Sequence, residues 1–153
     1  MSSISPEAGP TTDWPPRLQR FHDAQAGAHD GAVAELRNGR KAGHWMWFVF
    51  PQLAGLGRSE TSRFYAIESL AEARAYLADP VLGRRLHEAV RALLDSRGRS
   101  AAAVLGEIDA RKLRSSMTLF ARADPGDPVF ATVLDRFFEG RPDELTDELL
   151  GGG

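Results

Sequence analysis

Two of the chain's Asp-Pro steps, Asp79-Pro80 and Asp127-Pro128, constrain it more than any other feature. Aspartate accepts from the free N–H groups that open a helix, and proline is welcome where no N–H donor is needed. Each step therefore predicts an abrupt helix start. After the first come Leu82, Leu86, Ala89, Leu93 and Leu94, one stripe of a long helix with Arg84/Glu88 and Arg91/Asp95 pairs on its polar face. After the second come Val129, Val133, Leu134 and Phe137, ending at Gly140.

The same grammar recurs along the chain. Trp14-Pro15-Pro16 leads into a short first helix carrying Leu18, Phe21 and Ala24-Gln25. Asp30 is expected to cap a second, with Val33 and Leu36 inward and Gly39 as its stop. Ser69-Leu70-Ala71-Glu72 forms a capping box ahead of Ala73 and Leu77. Ser100 caps a brief turn ending at Gly106, Asp109 opens a helix to about Ala121, and a last helix falls within Asp143 to Leu150. Only Trp45 to Phe50 is β-like in composition, and a lone strand has no partner. It reads as a short buried helix ended by Pro51, because the residue before proline is pushed out of the α region. The expectation is an all-α, compact, multihelical single domain of about seven to nine helices. Residues 1–13 form a flexible lead-in, 14–150 the domain and 151–153 a frayed end.

Composition removes whole classes of function. There is no cysteine, so disulfides, thiolate nucleophiles and cysteine-bound zinc are excluded. No apolar run approaches the ~20 residues of a membrane span, and Met1 to Thr12 has no basic or apolar signal character. A cytoplasmic location is expected. The formal charge of −2 gives no general attraction to nucleic acid or anionic membrane. The Arg84-Arg85, Arg97 and Arg99 cluster is offset by neighbouring acids and reads as a solvated face. No cofactor is implied. The histidines show no metal spacing: His22 and His29 lie seven apart with no carboxylate partner at ligand spacing, and His87 reads as the solvated side of its helix. Of 19 basic residues only two, Lys41 and Lys112, are lysines. A position that needs a compact ammonium would resist so strong a preference for arginine.

Two blocks stand apart from helix filler. The first runs from Gly39 through HWMWFVFPQLAGLGRS to Arg63, Tyr65 and Ile67; the second is Lys112 to Phe120, KLRSSMTLF. With RFYAI and DPVLGRRL, they resemble the bacterial family catalogued as domain of unknown function 1810, over roughly Leu18 to Leu150. The resemblance implies a compact multihelical fold, sometimes likened to armadillo-type stacking, and no established activity. Members are sometimes labelled calpastatin-like. Such inhibitors bind through disordered segments, unlike a chain with a core and regular caps.

Within the first block, Trp45, Trp47, Phe48 and Phe50 are either an aromatic core helix or the wall of a pocket for a flat ring. His44 shares a helical face with Trp47 and can stand at the rim. Gln52 lies between this segment and the loop Gly55-Leu56-Gly57-Arg58-Ser59. That loop either redirects the chain or presents N–H groups to an anion, with Arg58 and Arg63 adding charge and Tyr65 beyond. In the second block, Lys112/Ser116 and Ser115/Thr118 share faces of one helix. Their hydroxyls either bond back to the preceding turn or line a site. The ligand reading is a small anionic, flat-ring, nucleotide-like molecule held where the two blocks meet, bound or hydrolysed. The alternative is a protein-interaction module anchored by exposed tryptophans.

Overall fold

The computed structural model describes residues 15–96 and 99–151. The lead-in at 1–13, Trp14, Arg97 and the last two glycines lie outside the described residues. Among the described residues ten helices follow one another: α1 Pro15–Ala26, α2 His29–Arg37, α3 Met46–Val49, α4 Glu60–Phe64, α5 Leu70–Ala78, α6 Pro80–Leu94, α7 Ala101–Leu105, α8 Glu107–Ala123, α9 Val129–Phe138 and α10 Glu144–Gly151. The number exceeds the expected one because α3, α4 and α7 are single turns of four or five residues. The one departure from helix among the described residues is an isolated parallel bridge, Leu53 to Ile67. Ile67 N–H donates to the Gln52 carbonyl and Ala54 N–H to the Ile67 carbonyl.

The entry devices work as the residue types require. The Asp79 carboxylate accepts from the N–H groups of Val81 and Leu82, each at 3.0 Å. Asp79 also ends α5, so one residue both closes that helix and opens α6. Ser69 accepts from Glu72 N–H, and the Glu72 carboxylate returns to Glu68 N–H. Ser100 accepts from Ala103 N–H. At Asp127 the carboxylate bonds Val129 N–H, while Pro128 is the cap and α9 begins one residue later than the spacing predicts. Two expectations are corrected. Asp30 is not the cap of α2: the helix starts at His29 with Ala28 before it, and Asp30 sits in the first turn, where its charge still favours the helix N-terminus. Asp109 likewise lies inside α8, which opens at Glu107 after Gly106 in an extended positive-φ conformation (φ 87°).

The core is continuous from Leu18 in α1 to Leu134 in α9. The α6 helix is its centre, packed by α1, α2, α3, α5 and α9, while α8 is covered by α5, α7, α9 and α10. Phe21, Phe50, Tyr76, Phe120 and Phe130 are fully buried, and full burial of such a ring contributes ~1.5–3 kcal/mol. Gly83 allows α5 and α6 to pack closely. A Cβ there would sit 2.3 Å from the Leu77 carbonyl oxygen, so no other residue fits without moving backbone. No helix among the described residues is long and apolar enough to cross a membrane.

Candidate ligand site

The segment between α2 and α3 is built around one carboxylate. Glu35 Oε1, near the end of α2, accepts three N–H donors: Ala42 at 2.7 Å, Gly43 at 2.9 Å and the Trp45 indole at 2.8 Å. Gly43 is required by this wrap, since a Cβ would lie 2.9 Å from Trp45 Cδ1. Burial alone would raise the Glu35 carboxyl's pKa. The three donors and the Lys41 charge outweigh it and hold the group below its ordinary value. Trp45 is consequently a buried and satisfied core residue, 4% exposed.

Lys41 completes the wrap. Its backbone N–H donates to the Val104 carbonyl, and its ammonium donates to the Gly43 carbonyl at 2.5 Å. The same ammonium pairs with Asp109 at 3.1 Å and lies 5.1 Å from the Trp45 ring centroid. Lys112, one turn along α8 from Asp109, shares that carboxylate at 3.6 Å. Its ammonium stands 5.3 Å from the centre of the Trp47 ring. Both lysines of the chain thus converge on one aspartate, and each faces one tryptophan, Lys41 the N-cap residue of α3 and Lys112 a residue within it. A compact ammonium suits this geometry better than a broad guanidinium fork, which accounts for lysine at both places.

The remaining candidates divide. His44 is exposed beside Trp45, and Trp47 is half-buried. The Trp47 indole N–H donates to no protein group among the described residues. Ser115 Oγ donates to the Arg111 carbonyl and Thr118 Oγ1 to the Arg114 carbonyl, the back-bonded arrangement of mid-helix hydroxyls. Thr118 also accepts from Asp143 N–H and so anchors the entry to α10. Ser116 differs: its Oγ is fully buried and has no partner.

The glycine loop serves chain direction. Gly55 has φ 102° and Gly57 lies against Ser62, while Ser59 Oγ accepts from Ser62 N–H and caps the five-residue α4. Arg58 and Arg63 are exposed. Gln52 takes part through its backbone carbonyl, at the Ile67 bridge. Tyr65 packs against Phe21, Phe48 and Phe64. No hydrogen bond, ion pair or ring contact among the described residues ties Arg63 or Tyr65 to Lys112. The structure gathers Lys41, Trp45, Trp47 and Lys112, and adds Glu35, which resembles an ordinary helix-surface acid in the sequence, and Asp109, which reads there as a helix opener. The i, i+3 spacing of Asp109 and Lys112 is the one local signal that pointed to either acid.

The histidines also depart from expectation. His22 pairs with Asp79 at 2.8 Å, His29 with Glu88 at 2.7 Å, and His87, half-buried rather than solvated, with Asp127 at 2.6 Å. All three contacts involve α6 or the aspartate that caps it. A shallow cleft runs beside one of them, lined by His29, Asp30, Arg84, Arg85 and Glu88. No group of three or more metal-ligating side chains occurs among the described residues.

The comparisons with known proteins agree with this fold. The chain is similar to a solved structure, the conserved hypothetical protein Rv1873 from Mycobacterium tuberculosis, at 48% identity and a TM-score of 0.88. That match covers 90% of this chain and 99% of the other. No curated protein matches. Residues 15–150 match the family described as protein of unknown function (DUF1810), so all ten helices lie within one residue of that span, and the chain belongs to this family.

Proposed function

We propose that the Trp47–Lys112 junction binds a small anionic ligand with a flat ring, of nucleotide type, in a cytoplasmic protein. The observation that carries this reading is the Lys112 ammonium held over the half-buried Trp47 ring by residues from two distant segments. A ring can stack on the indole while its anionic group draws Lys112 from a carboxylate already shared with Lys41. An unclaimed group supports it: among the described residues the Trp47 N–H has no protein acceptor. His44 stands exposed nearby in sequence and can add a donor. The glycine loop is outside this reading, because its last residue, Ser59, serves as the cap of the five-residue α4.

Docking of a protein through the tryptophans is not favoured, since Trp45 is closed inside the core. The test is a thermal-shift and tryptophan-quenching titration with nucleoside mono-, di- and triphosphates. A ligand at 100 times its Kd raises stability by about 2.7 kcal/mol through mass action. Trp47→Ala and Lys112→Ala should each abolish both the shift and the quench. Absence of any shift across the panel, or a shift unchanged in Lys112→Ala, overturns the reading.

A further inference from the structure

We propose that His87 is a proton-operated latch between α6 and the entry of α9. His87 Nδ1 lies 2.7 Å from the Gly83 carbonyl oxygen and Nε2 lies 2.6 Å from an Asp127 carboxylate oxygen. Both neighbours are acceptors. A neutral imidazole has one N–H, so whichever tautomer forms, one lone pair faces an oxygen; only the imidazolium donates to both. The other two pairs lack this property. His22 and His29 each meet a single carboxylate, which one N–H satisfies.

The latch joins parts that matter to the fold. Asp127 also accepts from Val129 N–H at the start of α9, and its own N–H donates to the Asp124 carbonyl. The charged groups facing the His87 ring are Asp127 across the interface and Arg91 on the next turn of α6; α9 presents the Phe130 ring, 5.5 Å away. Burial would lower the histidine's pKa, yet the bonds from Asp127 and Gly83 prevail and raise it, while Asp127 is held below its ordinary range. The sign follows. A histidine raised in the folded state stabilises fully below the unfolded value of ~6.5, and the contribution is lost as pH rises through its folded value. The entry of α9 is thus tight in mild acid and loosens as pH rises through the raised folded value of His87.

The test is NMR titration of the histidine ring protons together with Val129 amide protection factors from pH 5.5 to 9.5. His87 should titrate above ~6.5, with Val129 protection falling about threefold to tenfold across that step. His87→Gln keeps one N–H for Asp127 and cannot titrate, so its protection should be flat. Asp127→Asn keeps a capping oxygen and should bring the His87 titration down. A His87 titration at or below ~6.5, a protection step that survives in His87→Gln, or a titration unmoved by Asp127→Asn would each overturn the latch.

Discussion

Trp45 and Trp47 stand two residues apart, one at the N-cap of α3 and one within it, each with a lysine over its ring, and the protein treats them in opposite ways. Trp45 is closed: its N–H is bound to Glu35, its face is covered by Lys41, and it is 4% exposed. Trp47 is open: half-buried, its N–H without a protein acceptor among the described residues, its ammonium on the longer of two arms from Asp109. The difference comes from the partner carboxylates. Glu35 serves Trp45 through three bonds to one oxygen, whereas the Trp47 side has only a shared aspartate. One indole is therefore part of the scaffold, and the other is presented by it.

The comparison can be broken at several points. Trp45→Ala is expected to cost about 3–5 kcal/mol, the range for truncating a buried aromatic, and Trp47→Ala well under half of that in the same urea titration. Equal losses would remove the distinction. Glu35→Ala leaves the Trp45 N–H buried without an acceptor, a cost of about 1–3 kcal/mol, and should also flatten the acid limb of stability. The wild-type Glu35 contribution is complete above its unfolded value of ~4.3 and is lost as pH falls through its depressed folded value. Denaturation midpoints between pH 3 and 7 measure both effects. Smaller still, Lys41→Arg should lower stability by about 1 kcal/mol, because the fork does not fit between Gly43 and Asp109. Lys112→Arg should stay within about 0.5 kcal/mol, while still weakening any bound anion. If Lys112→Arg proves the more destabilising, the open and closed assignments are reversed.

What the sequence made legible was local. Asp79, Ser69 and Ser100 reveal helix starts because a cap and its N–H partners lie within three residues. The two lysines stood out because arginine fills nearly every other basic position. Glu35 and Asp109 did not, since an acid in a helix resembles any solvated charge until its long-range partners are placed. His87 misled for a related reason: its sequence neighbour Glu88 pairs with His29, while its own partner Asp127 lies 40 residues away. Asp127 in turn was already explained as a helix entry, which hid its second bond. The glycines of the loop at Gly55 and Gly57 were visible, but whether they cradle a ligand or turn the chain depends on Ser62 and Leu149 arriving beside them.

The unequal enclosure of the two indoles also has an optical consequence. Light emitted by Trp45 should be insensitive to dissolved quenchers, because collision requires contact with a ring that the protein covers. Trp47 is reachable, and the ammonium above it should draw iodide in and turn caesium away. Once Trp14 is replaced by phenylalanine, the ratio of quenching by these two ions reports the charge state of a single notch, with no label attached.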